Sequence, residues 1–159
     1  MRRFRHYGCE SFDPEKFDAV KNRPRYCKPL GGLWASPMEE DRNDGWAEWC
    51  KAEDFHTDYL NKYFEFTLRE DARVAVIDTI HNLEVLLYKY PQPQTPGKEY
   101  MERVLDFEKM CENYDAIELT SRGQWDTRLS DPNLYGWDCH SLLVLNPNVV
   151  VPVVNGEHT

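Results

Sequence analysis

The sequence has no long apolar run. Its longest, Val149 to Val154, is interrupted by Pro152 and falls far short of the roughly 18 to 20 residues that a spanning helix needs, which excludes a helical membrane span. Behind the basic start MRRFR there is no apolar stretch of about 7 to 15 residues, the feature that marks a secretory leader, so the expected location is the cytoplasm. The five cysteines, Cys9, Cys27, Cys50, Cys111 and Cys139, are an odd number with no CxxC pair and no zinc-finger spacing; free thiols in a reducing compartment are expected. Positive charge is also scarce, with 19 Lys and Arg against 28 Asp and Glu and a net charge of −9. A general binder of nucleic acid is excluded on that ground, because such binding begins with neutralised phosphates.

The usual catalytic signatures are missing too. There is no GxSxG elbow, HExxH helix, GxxxxGK[ST] phosphate loop or GxGxxG turn. The histidines His6, His56, His81, His140 and His158 lie one to a segment, so no metal is expected. No repeat, low-complexity tract or linker divides the 159 residues, and residues 1–159 are read as one domain of a size that buries its own core.

What is present is aromatic and mixed in pattern. FRHYG predicts a strand running into a turn, and SFDPEKFDAVKN predicts a short helix over Ser11–Asn22. RPRYCKPLGGLWASP is a loop delivering a short buried strand, and DGWAEWCKAEDF predicts a helix with Trp46, Trp49 and Cys50 on one side. Tyr63–Leu68 alternates polar and apolar residues and reads as a strand; RVAVID reads as a second, joined to it by the turn REDA. A helix over Thr79–Tyr90 follows and stops at PQPQTPG, and another is expected over residues 98–113. YDAIEL is a strand, residues 120–136 a long polar loop, and SLLVLNP begins a final apolar strand. Mixed order with few regular βα alternations predicts an α+β fold. Residues 1–30 carry eight Lys and Arg against four Asp and Glu, which reads either as a grip for a small phosphorylated ligand or as ordinary scatter.

RHYG, GGLWAS, and YDAIEL followed by SLLVLNPNVV resemble, in order and spacing, the core of the ADP-ribosyltransferase superfamily, in the branch of diphtheria toxin and the poly(ADP-ribose) polymerases. The resemblance implies split antiparallel sheets with flanking helices and NAD as substrate. It implies a cofactor-binding set of His6, on the ribose, with Tyr7 standing between it and Gly8; Trp34 and Ser36; and Trp46 or Trp49 as a second stacking aromatic. The residue at the catalytic-carboxylate position is Ser141, so the acidic role falls to Asp138, with His140 beside it, or to Glu118 on the neighbouring strand. Each has a plainer alternative: Trp46 and Trp49 as core, WDCHS as packing and capping, Glu118 as a surface charge. The activity implied is mono-ADP-ribosylation of a protein, nucleic acid or small molecule, with Gln124 and Trp125 of the polar loop facing the acceptor. The alternatives are an inactive NAD- or nucleotide-binding module of the same fold, or an interaction domain.

Overall fold

The computed structural model describes residues 1–39, 45–94, 96–97 and 103–154. Seven strands form one mixed sheet in the order β4-β5-β6-β2-β1-β3-β7. They are β1 (Phe4–Tyr7), β2 (Leu33–Pro37), β3 (Tyr63–Leu68), β4 (Val74–Ile77), β5 (Ala116–Leu119), β6 (Ser141–Val144) and β7 (Val150–Pro152). Four helices occur among the described residues: α1 (Trp46–Glu53), α2 (Ile80–Lys89), α3 (Phe107–Met110) and α4 (Ser121–Thr127). The α+β class therefore holds, but one sheet replaces the expected pair, and it is not wholly antiparallel. β4 and β5 run parallel because the chain between them carries α2 and α3, the kind of crossover that a parallel pair requires.

The sheet is nevertheless divided along β2. Leu33, Trp34 and Ala35 pair with β6, whereas β1 reaches β2 only through Arg5 to Ser36 and Phe4 to Pro37. β1 stays paired with β3 along its whole length, from Phe4 to Tyr7. Beyond Arg5 the two central strands thus part, and a cleft opens between them.

β5 and β6 are buried on both faces, as expected of continuous apolar runs at a sheet centre. One face packs Ile117, Leu119 and Leu143 against α2, Phe107, Met110 and Trp137. The other packs Ala116, Leu142 and Val144 against Phe4, Leu33, Phe64 and Phe66. α2 begins where Thr79 and Asn82 form a reciprocal capping box and buries Leu83, Leu86 and Leu87 at the 3-4 spacing of one helix face. The two glycines of GGLWAS have φ of 75° and 73°. A Cβ on Gly31 would strike the Ala19 carbonyl, and one on Gly32 the Leu143 side chain, so the pair lets β2 enter the sheet against residues 18–20.

Several sequence expectations are corrected. Ser11–Asn22 is no helix: Asp13 caps a single 3-10 turn, Pro14–Lys16, and the chain then extends until Lys21 bridges Leu30, with Val20 buried in the core. The turn after β3 makes no hairpin, since β3 and β4 lie on opposite sides of the sheet. Residues 120–136 are not all loop. Thr120 accepts from the Gly123 amide to start α4, and Gly123 lies so close to the Ile77 carbonyl that a Cβ would clash. The helix expected over residues 98–113 falls partly outside the described residues; within them only Phe107–Met110 is helical, and Leu105 instead bridges Pro91.

No disulfide joins the five cysteines; Cys9 and Cys111 are exposed, Cys27 is half-buried, and Cys50 and Cys139 are buried. Alkylation of the native protein is expected to label Cys9 and Cys111 first and to reach Cys50 and Cys139 only on unfolding, with five additions in all without reductant. Mass spectrometry that finds three or fewer contradicts this.

Candidate functional site

The cleft between β1 and β2 has a volume of about 250 Å³, slightly below the roughly 300 to 1,000 Å³ common for small-molecule sites. His6, Tyr7, Trp34, Ser36, Trp46 and Asp138 line it, together with Ser141. Residues from the first strand, the second strand, the first helix and the loop before β6 are thus brought to one place.

His6, Trp34, Ser36 and Trp46 are each held by an identifiable contact. His6 Nδ1 lies 2.6 Å from the Trp34 carbonyl oxygen. That oxygen can only accept, so Nδ1 carries the proton and Nε2 is left as an acceptor. Burial pushes the His6 pKa down, against the pull of the Trp34 carbonyl, so the ring is neutral near pH 7. The buried Ser36 hydroxyl accepts from the Trp46 amide at 3.0 Å, which ties the first turn of α1 to β2 and carries Trp46 to the cleft. Trp34 meets Trp137 edge-on, with centroids 4.8 Å apart, and the Lys28 ammonium lies 4.9 Å from the Trp34 ring centre. Trp137 is anchored in turn, its indole N–H donating to the Cys27 carbonyl at 2.8 Å.

Trp46 and Trp49 do not face one ligand from the same side. They stack on each other, centroids 5.1 Å apart and planes 12° apart, with Phe55 edge-on to both. Trp46 therefore lines the cleft, whereas Trp49 lines a neighbouring groove of about 290 Å³ with Gln124, Trp125 and Arg128. Gly136, Trp137 and Asp138 form the shared wall of the two. Gly8 has a φ of 109°, is exposed and does not line the cleft.

Asp138 is the acidic group that lines the cleft. Partial burial pushes its pKa up, while Lys28 and Arg128 pull it down. Ser141, at the start of β6, donates to the Cys139 carbonyl at 2.8 Å, and burial pushes the Cys139 thiol up to about 11, which keeps that sulfur protonated.

Glu118 and His140 stand elsewhere. Strand alternation puts Glu118 on the face of Ala116, Leu142 and Phe4, and neither residue lines the cleft. Glu118 is 4% exposed, which overturns its reading as a surface charge. The Arg2 guanidinium grips both its oxygens at 2.8 Å, and His140 Nε2 donates to it at 2.6 Å. Burial alone would raise the Glu118 pKa; the hydrogen bonds from Arg2 and His140 outweigh it and hold the carboxyl at about 2. Ser121 Oγ lies 3.3 Å from His140 Nδ1. The cluster locks the N-terminal segment onto β5.

Sequence reasoning missed Lys28, Arg5 and Trp137 as cleft residues. The positive balance of residues 1–30 was the signal for the first two. Nothing in WDCHS marks Trp137 as a wall rather than core, and it is both, being 1% exposed. Among the described residues no group of His, Cys, Asp and Glu is arranged to hold a metal ion, and no helix is long and apolar enough to cross a membrane. No protein-family model matches the chain, and neither a curated protein nor a solved structure matches it.

Proposed function

We propose that this chain uses NAD in the manner of an ADP-ribosyltransferase, binding the nicotinamide and its ribose in the cleft between β1 and β2 and passing ADP-ribose to an acceptor. One observation carries the reading: where β1 and β2 part, His6 is fixed by the Trp34 carbonyl in a cleft that also holds Trp46, Lys28 and Asp138. The division of pairing along β2 supports an ADP-ribosyltransferase-like arrangement of the sheet.

The chemistry asks for few groups. An indole face suits a flat nicotinamide ring, and His6 Nε2 suits a ribose hydroxyl. As the bond from the ribose anomeric carbon to the nicotinamide nitrogen breaks, nicotinamide leaves with the bonding pair and positive charge grows on the sugar. Asp138, accepting from a ribose hydroxyl, stabilises that charge. The acceptor nucleophile then bonds to the anomeric carbon and gives up its proton to Asp138 or to water. Its path is the groove of Gln124 and Trp125, which adjoins the cleft at Asp138.

A second reading, a binding module without turnover, is favoured by Ser141 at the start of β6 and by the capture of Glu118 in an ion pair. Both readings expect NAD or ADP-ribose to quench tryptophan emission and raise the melting temperature, by RT ln(1 + [L]/Kd) in stability. An unchanged emission and melting curve at millimolar ligand contradicts both. Release of nicotinamide separates them.

A further inference from the structure

A second cavity, of about 400 Å³, is lined by Arg25, Arg103 and Arg128, with Tyr26 and Tyr135 beside them. Among the described residues that line it none is acidic, although the chain as a whole carries a net charge of −9. The three arginines come from separate stretches of chain: the loop before β2, the segment before α3, and the C-terminal end of α4. None of the ion pairs among the described residues involves them. Gathering like charges around one space is unfavourable in the empty protein.

Arg128 also acts on Asp138, drawing its pKa down, while Arg25 and Arg103 are exposed. Arg128 lies over Trp125 at 5.0 Å from the ring centre, a cation–π contact that leaves guanidinium N–H groups able to donate. Arg25 follows Pro24 in a turn closed by the Tyr26 amide on the Arg23 carbonyl at 3.0 Å, and it has a φ of 69°. A type II turn ordinarily fills that position with Gly or Asn. Arg25 thus adopts a backbone conformation that few side chains favour, beside a cavity lined by two further arginines.

We infer that this cavity binds a small phosphorylated molecule of the nucleotide class, its phosphates on Arg25, Arg103 and Arg128 and its ring against Tyr26 or Tyr135. Guanidiniums match phosphate oxygens in paired hydrogen bonds; Tyr135, 67% exposed, offers aromatic surface to a base, as does Tyr26, 58% exposed, on the side away from the Arg23 guanidinium that lies 4.4 Å from its ring centre. The negative charge of the remaining surface disfavours long polyanions, which commits the site to a small ligand. The assignment does not depend on the cleft's being an NAD site.

Calorimetric titration with inorganic pyrophosphate, ADP and adenosine tests it. ADP is expected to bind more tightly than pyrophosphate, both more weakly as salt rises, and adenosine not measurably. Arg103→Ala and Arg25→Gly should each weaken pyrophosphate binding about tenfold or more. Arg25→Gly should also raise the melting temperature of the ligand-free protein by relieving the turn, which shows that the loss of binding is not a loss of fold. Trp34→Ala, in the cleft, should leave pyrophosphate binding unchanged. Absence of pyrophosphate binding at millimolar concentration, binding indifferent to both arginine variants, or its loss in Trp34→Ala overturns the assignment.

Discussion

Asp138→Asn is expected to slow nicotinamide release from NAD by about a hundredfold or more while leaving NAD affinity nearly unchanged. The amide keeps the shape of the side chain and removes the charge that the breaking glycosidic bond requires, so the loss falls on the transition state and not on stacking against Trp34. His6→Ala should differ in kind, weakening binding as well, because the ring that is held on the Trp34 carbonyl is the one offered to the ribose. Glu118→Gln should leave the chemical step intact, since Glu118 lies outside the cleft. Single-turnover kinetics with each variant separate these outcomes. An Asp138→Asn protein with near-normal turnover removes Asp138 from the catalytic role.

Glu118→Ala is expected to cost stability instead, by about 1 to 3 kcal/mol, the range for leaving a buried polar group without its partner. Marginal domains hold only about 5 to 15 kcal/mol in total, and in a chain of this size the loss lowers Tm by up to roughly 10 °C. His140, 1% exposed, would lose its carboxylate acceptor; Arg2, with a side chain 48% exposed, would turn to water. Arg2→Ala should cost at least as much as Glu118→Ala, because it leaves the buried Glu118 carboxylate without its guanidinium. The same group sets the acid limit. Its pKa is depressed from 4.5 to about 2, so its contribution is complete above about pH 4.5 and is lost as pH falls through about 2, a change on the order of 3 kcal/mol. Asp115, pulled from 3.8 to about 2 by Arg73, loses its contribution in the same direction as pH falls below its unfolded value. Urea melts between pH 5 and 2 should show the wild-type protein losing stability across that window, and Glu118→Gln losing less. Parallel curves for the two proteins contradict the assignment.

The elements that the sequence announced are those whose signal is local. β3 shows in the alternation of Tyr63–Leu68, α2 in the Thr79 cap and its apolar stripe, and β5 and β6 in runs buried on both faces. The failures have a common cause, a tertiary partner invisible in the local pattern. Val20 is drawn into the core and Lys21 into a bridge with Leu30, which overrides the helical spacing of Phe17 and Val20. α4 hides in a polar segment because it buries only Gly123 and Thr127. Sheet order is the long-range quantity that adjacent strand signals do not carry, so β3 and β4 looked like neighbours.

The candidate site divided along the same line. His6, Trp34, Ser36, Trp46 and Asp138 were named from short motifs and share a cleft. Glu118 and His140 were named with them, yet His140 binds Glu118 and Glu118 binds Arg2, a residue 116 positions away from it. No feature of YDAIEL distinguishes a carboxylate aimed at a cleft from one aimed at a distant guanidinium. The arginine cavity went unseen for the same reason, because Arg25, Arg103 and Arg128 are unremarkable until the fold gathers them.

The central claim is that the cleft between β1 and β2 cleaves NAD, and incubation of the protein with NAD, with nicotinamide followed by chromatography and added mass by mass spectrometry, tests it most directly. The account predicts free nicotinamide in step with ADP-ribose, either transferred or released to water, and the loss of both in Asp138→Asn. NAD recovered intact, with no nicotinamide formed in the presence of protein, nucleic-acid and small-molecule acceptors, contradicts it.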